Sequence, residues 1–313
     1  MKKIESVALI GLGAIGSAYL VKMAEHMPPE SIRVIASGER AARYRANGVE
    51  YNGRHYRFNV AEPESGEKPA DLVFVSVKNM QLEQAARDMR DFVGPETIII
   101  APLNGVTSEK VLMTSFGEER VLFSYAMRID ATRVGDSTVC TDTGYIAFGC
   151  GRGMSCRPEN EAAVAEFFER VGIEYEMPDD MMTSLWKKFM MNCGINQTSA
   201  VLGFTYGLMQ RSREARSIMR SAMEEAALAA KAEGISLGTA DIDNCFNIMD
   251  RLGPDGKTSM LQDIDARRAT EVDAFAGTVV SIAGKYNIPV PVNEMLLRLI
   301  RAKEESFALA AEE

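Results

Sequence analysis

Histidine is nearly missing from this chain, with two residues in 313. The five cysteines, Cys140, Cys150, Cys156, Cys193 and Cys245, include no CxxC pair. A zinc centre needs closely spaced thiolate and imidazole ligands, so this supply argues against one and no metal is expected. The odd, scattered cysteines read as reduced, mostly structural thiols in a cytosol. There is also no uninterrupted apolar run of about 18 residues, the length a membrane-spanning helix needs. Met1-Lys2-Lys3-Ile4-Glu5 has the charge of a signal peptide, but the apolar run behind it is short and breaks at Gly11 and Gly13. A cytoplasmic location is therefore expected. No block of five or six basic residues occurs and the net charge is −9. Nucleic acid, which is bound through clustered Lys and Arg, is not an expected partner. A small anion still is, because one pocket can be basic on an acidic chain.

What the chain does supply is an ordinary globular balance, 46% hydrophobic and 25% charged, over a length natural for two domains. Residues 4–10, 32–36, 71–77 and 97–101 are apolar strand-like runs. The last two are too apolar to leave one face in water, and all four are separated by helical stretches. Such a pattern predicts an α/β domain, a parallel sheet covered on both faces. Val121–Tyr125 and Tyr145–Gly149 continue the strand signal, and Pro158 opens a helix that Gly172 ends. After about Pro178 strand-like runs nearly vanish. The predicted helices are 181–197, 212–233, 239–252, 262–286 and one from Val292 onward. The expected division is 1–178 for a dinucleotide-binding, Rossmann-like domain and 179–313 for an all-helical domain that holds substrate. The Met- and Ala-rich helices 212–233 and 262–286 suit a core or a homodimer interface, with core as the default.

The strand at 4–10 runs into Gly11-Leu12-Gly13-Ala14-Ile15-Gly16, and a helical pattern follows. Gly-x-Gly-x-x-Gly alone is weak, but here it has the strand before, the helix after and a second strand about twenty residues on. Gly11 permits the tight turn, Gly13 lets backbone N–H groups approach a pyrophosphate, and Gly16 lets the helix pack on the strand. The helix N-terminus adds partial positive charge. The second strand ends in Ala36-Ser37-Gly38-Glu39-Arg40. Where an NAD protein places Asp or Glu for the ribose hydroxyl, Ser37 with Arg40 suits the 2′-phosphate of NADP. Glu39 is the counter-argument, and a solvated helix face is the alternative for Arg40, Arg43 and Arg45.

A second constellation lies in the helical half. Lys188, Asn192 and Asn196 stand at i, i+4 and i+8, so they share one helix face at about 6 Å steps. An ammonium and two amides in a row suit a carboxylate and a carbonyl oxygen. A plain polar face is the competing explanation, although these residues lie amid Trp186, Phe189, Met190, Met191 and Ile195.

The glycine loop, the Val77-Lys78 strand end, the Asn104-Gly105 turn, Lys188-x3-Asn192-x3-Asn196, and Ser259-Met260-Leu261-Gln262-Asp263 leading to Thr270-Glu271 occur in an order that resembles the ketopantoate reductase (2-dehydropantoate 2-reductase) family. The likeness runs from about residue 4 to about residue 298. It implies NADPH-dependent reduction of a small 2-keto acid. It also implies Lys188 as the catalytic lysine, with Glu271 holding the substrate hydroxyl and orienting that lysine. Asn192, Asn196 and Ser259 match substrate positions, while Lys78 and Asn104 match the cofactor–substrate junction. Ser37-Gly38 departs from the family's usual Arg-Gly pair, Asn196–Ala200 is looser than usual, and Tyr125–Asp130 differs from the pantothenate-pathway pattern. These departures bear on the substrate and leave the reaction type. Other 2-keto acids, or a non-catalytic NADP(H) sensor, are the alternatives. Twelve residues separate Ser259 from Glu271, about 18 Å along one straight helix. Ser259 is therefore expected in a loop that folds back, or as a helix N-cap.

Overall fold

A computed structural model describes residues 2–153 and 155–310. The chain forms two compact units, Met1–Met182 and Thr183–Glu313.

The strands of the first unit are β1 (Val7–Ile10), β2 (Ile32–Ile35), β3 (Val49–Tyr51), β4 (Arg54–Tyr56), β5 (Asn59–Ala61), β6 (Leu72–Val75), β7 (Ile98–Ile100), β8 (Val121–Met127), β9 (Asp130–Val134), β10 (Ser137–Asp142), β11 (Tyr145–Gly149) and β12 (Glu174–Glu176). Helices α1 (Ala14–Ala24), α2 (Gly38–Asn47), α3 (Leu82–Asp88), α4 (Ser108–Phe116) and α5 (Pro158–Arg170) lie between them. Eight strands form one sheet in the order β12-β11-β8-β7-β6-β1-β2-β5. Side-chain alternation explains its burial. Val7, Leu9, Leu72, Phe74, Ile98 and Ile100 enter one core with Tyr19, Phe167 and Phe168. Their neighbours Ala8, Ile10, Val73, Val75 and Ile99 enter another with Leu82 and Phe92. Both faces are thus covered, as parallel strands joined by helices require.

The sheet is not wholly parallel, in contrast to the pattern read from its apolar runs: β8 and β11 pair antiparallel. A second, four-stranded sheet, β4-β3-β10-β9, was not foreseen. Its strands alternate or lie exposed, as in β4 and β9, so no continuous apolar run announces them.

The cysteines also differ from expectation. Cys150 and Cys156 form a disulfide with Cα atoms 5.6 Å apart. The link between β11 and α5 turns back and brings the two within bridging range. Cys140, Cys193 and Cys245 are free and buried. Closing so short a loop stabilises the fold by about 2 kcal/mol in the chain-entropy picture. Reduction of the protein by dithiothreitol is expected to lower its Tm accordingly, and an unchanged Tm would show that the bridge constrains nothing.

The second unit contains most of α6 (Met181–Leu202), then α7 (Tyr206–Arg211), α8 (Arg213–Ala232), α9 (Thr239–Met249), α10 (Ser259–Asp265), α11 (Ala276–Tyr286) and α12 (Pro291–Leu309). On α8, Met219, Ala222, Met223, Ala226, Ala229 and Ala230 are buried core, while Ile218 and Leu228 are exposed. The single helix expected over 262–286 is broken. Helix α10 stops at Asp265, Arg267 takes a positive φ of 50°, and a 3-10 turn at Val272–Ala274 precedes α11. The end of α10 closes on its own last turn, where the N–H of Arg268 donates to the carbonyl of Asp263 at 2.8 Å and the Arg268 side chain donates to Asp263 Oδ1 at 2.9 Å. Among the described residues no helix is long and apolar enough to cross a membrane. No group of three or more His, Cys, Asp or Glu could hold a metal ion there.

Candidate active site

The glycine loop occupies the turn from β1 into α1. Gly11 has φ +97°, and a Cβ there would stand 2.4 Å from the carbonyl of Ser76. A Cβ on Gly16 would stand 2.1 Å from the carbonyl oxygen of Gly11. A Cβ on Gly13 would meet no protein atom within 4 Å. Two glycines are therefore required by the fold, while the third faces open space. Gly13 is the N-cap of α1, with no side-chain cap and no acidic residue in the first turn. The positive end of the helix is left to backbone N–H groups, as an anion site needs. Leu12 is buried, whereas Ala14 and Ile15 are partly exposed.

The other first-unit candidates end neighbouring strands. Strands β7, β6, β1 and β2 are consecutive in the sheet and mutually parallel. Lys78 follows β6 and Asn104 follows β7, both half-buried. Asn79 Nδ2 donates to the carbonyl of Asn104 at 2.8 Å and ties these two ends together. Ser37 follows β2 as the N-cap of α2, without a side-chain capping bond, and Arg40 is exposed in the first turn. Arg43 pairs with Asp136 at 3.3 Å and Arg45 with Glu62 at 2.6 Å. Among the described residues Arg40 makes no ion pair, which singles it out from the three arginines. Ser37, Lys78 and Asn104 follow the carboxyl ends of parallel strands, with Arg40 in the first turn beyond β2, and open α/β sheets bind their ligands at that edge.

In the second unit α6 presents Lys188, Asn192 and Asn196 along one face. Asn196 Nδ2 donates to Asn192 Oδ1 at 3.5 Å. Asn192 is buried, and Lys188 and Asn196 are half-buried. Ser259 is exposed and opens α10, but it does not cap that helix. Thr258 does so, its hydroxyl accepting the N–H of Leu261 at 3.2 Å. The same hydroxyl donates to Ser199 Oγ at 3.0 Å. The start of α10 is thereby fixed to α6 one turn beyond Asn196, and Ser259 is released from capping. The loop expected over 253–257 is present between α9 and α10, Ser259 itself begins α10, and a second loop after α10 takes Glu271 off the helix axis and leaves it half-buried at 266–275. Sequence reasoning offered an N-cap at Ser259 only as the alternative to a loop and did not weigh Thr258, although a Thr ahead of a helix is an equally good N-cap signal.

Sheet order, glycine loop and helical second unit define the class: a Rossmann-type α/β unit followed by an all-helical one. The chain belongs to the ketopantoate reductase family. Residues 7–153 match the family model Ketopantoate reductase PanE/ApbA, and residues 180–304 match that of its C-terminal part. The 2-dehydropantoate 2-reductase of Pyrococcus horikoshii is 25% identical over 308 residues, covering 95% of this chain and 97% of that protein. A D-mandelate dehydrogenase solved with NADH and anilino(oxo)acetate shares the fold, with a TM-score of 0.86 at 22% identity over 97% of this chain and 99% of that one. The PanE/ApbA family ketopantoate reductase from Ralstonia eutropha shares it with a TM-score of 0.81 at 24% identity, again over 97% and 99%.

Proposed function

We propose that the chain is an NADPH-dependent reductase of a 2-keto acid, with 2-dehydropantoate, the compound its curated relatives are named for, as substrate. The observation that carries this reading is the row Lys188, Asn192 and Asn196 on one face of α6, to which the start of α10 is hydrogen-bonded. A dinucleotide fits the first unit on three counts: the open space at Gly13, the uncapped end of α1, and the carboxyl edge bearing Ser37, Arg40, Lys78 and Asn104. When bound, the nicotinamide supplies the hydride. As charge develops on the keto oxygen, the Lys188 ammonium stabilises it and gives up a proton to that atom. The amides of Asn192 and Asn196 and the Ser259 hydroxyl hold the substrate's polar oxygens. Glu271 accepts from its hydroxyl and orients Lys188. The keto acid gains one hydride and one proton and leaves as the 2-hydroxy acid.

Purified protein is expected to oxidise NADPH fastest with 2-dehydropantoate in a panel of 2-keto acids. The departure at Tyr125–Asp130 is the reason for including other branched and β-hydroxylated acids. Binding of NADPH without oxidation by any of them would sink the reductase reading in favour of a sensor. Arg40 tests the choice of cofactor. Loss of one charge-assisted phosphate contact corresponds to about a tenfold effect. Arg40→Ala should therefore raise KM for NADPH about tenfold and leave KM for NADH unchanged. Equal changes for both would return Arg40 to the solvated surface.

A further inference from the structure

Lys188 and Glu271 stand on separate elements, and the 266–275 loop that carries Glu271 has little secondary structure of its own. Its position is set from outside. At Thr270 the backbone N–H donates to Glu304 Oε1 on α12 at 2.6 Å. Where the loop enters α11, the N–H of Ala276 donates to Gln197 Oε1 at 3.0 Å. Gln197 is fully buried and follows Asn196 on α6. Its Nε2 donates to the carbonyl of Cys193 at 2.6 Å and to Asn293 Oδ1 at 3.2 Å. Asn293, also fully buried, donates through Nδ2 to Glu225 Oε2 at 2.8 Å and to the carbonyl of Ala222 at 3.1 Å. Glu225 in turn accepts the backbone N–H groups of Val292 and Asn293.

A buried amide is tolerated only where its hydrogen bonds are made. Methionine would fill the same space with no such demand, so packing alone does not call for glutamine here. What glutamine supplies is an acceptor for Ala276 and a donor for Asn293 from one side chain. We propose that Gln197 is a positioning residue, which through Ala276 holds the Glu271 loop in register with the Lys188–Asn196 face of α6. The inference rests on the reductase reading above.

Two substitutions test it. Gln197→Met keeps the length and removes all three side-chain bonds, to Ala276, Asn293 and the carbonyl of Cys193. A displaced catalytic group costs on the order of 10²-fold, so kcat of this variant should fall about 10- to 100-fold. Its Kd for NADPH should match that of the wild type, and amide hydrogen exchange over residues 266–276 should quicken. Gln197→Glu keeps the acceptor and restores the donor only as the neutral acid. Its kcat should therefore approach the wild-type value at low pH and fall, relative to the wild type at the same pH, as the acid ionises. The nearby titratable groups are Cys193 on α6, whose thiol burial pushes well above its usual range, and Glu225 on α8 beyond Asn293. A residue that merely filled the core would give the opposite order, with methionine harmless and the buried acid damaging. Unchanged exchange over 266–276 in Gln197→Met, or wild-type kcat in that variant, overturns the inference. The reductase reading fails by a different result, wild-type protein inert toward every 2-keto acid, and the exchange measurement still decides whether Gln197 holds the loop.

Discussion

Lys188→Ala is expected to lower kcat with 2-dehydropantoate by about 10²- to 10⁴-fold, the range that loss of a positioned general acid commands. Affinity for NADPH should barely move, because Lys188 lies in the second unit while the glycine loop, Ser37 and Arg40 lie in the first. Measuring NADPH binding by fluorescence titration and turnover by NADPH oxidation separates the two effects. Lys188→Arg refines the test. Arginine restores the positive charge but does not release its proton at any working pH. It should recover binding of the keto acid, seen in KM, far more than kcat. Turnover near the wild-type rate in Lys188→Ala would remove Lys188 from the chemistry and leave the α6 row as a polar helix face.

The parts of the fold that were legible are the parts encoded locally. Gly11, Gly13 and Gly16 sit between an apolar strand and an amphipathic helix, and all the information that makes them a loop lies within about twenty residues. The sheet strands β1, β6 and β7 read as continuous apolar runs because both of their faces are buried. Lys188, Asn192 and Asn196 needed only helical periodicity to be placed on one face. The parts that were not legible depend on distant partners. Cys150 and Cys156 become a disulfide because the loop after β11 folds back. The loop beyond the break at Arg267 is bonded at Thr270 to Glu304 and, where it enters α11, to Gln197, both far from it in sequence. Gln197 and Asn293 meet across 96 residues of sequence, and no local pattern marks either as polar core. Thr258 was the nearer miss, since a cap one residue on, at Ser259, stood as the alternative to a loop there. Local chemistry thus indicated which residue types could act, and long-range hydrogen bonds set where they stand.

The glycine loop allows stability and ligand affinity to be separated within three residues. Gly16→Ala should destabilise the protein by about 3 kcal/mol or more, the upper end of overpacking, because its Cβ would stand 2.1 Å from the Gly11 carbonyl oxygen. Gly13→Ala should behave in the opposite way. Gly13 has φ −86° and ψ −163°, a conformation alanine adopts freely, and its Cβ meets nothing in the protein. Restricting the unfolded chain there stabilises by about 0.4–1 kcal/mol, so the Tm of the ligand-free variant should hold or rise. Affinity for NADPH should nevertheless fall. The methyl group occupies the approach of a pyrophosphate, and a clash of about 1–3 kcal/mol corresponds to roughly a tenfold to hundredfold weaker Kd. Thermal unfolding of the ligand-free variants and titration with NADPH check both halves. Wild-type affinity in Gly13→Ala would mean that no phosphate comes close to this backbone, and the loop would then be a packing device required only at Gly11 and Gly16. A stable Gly13→Ala that fails to bind identifies Gly13 as a glycine kept for the ligand and not for the fold.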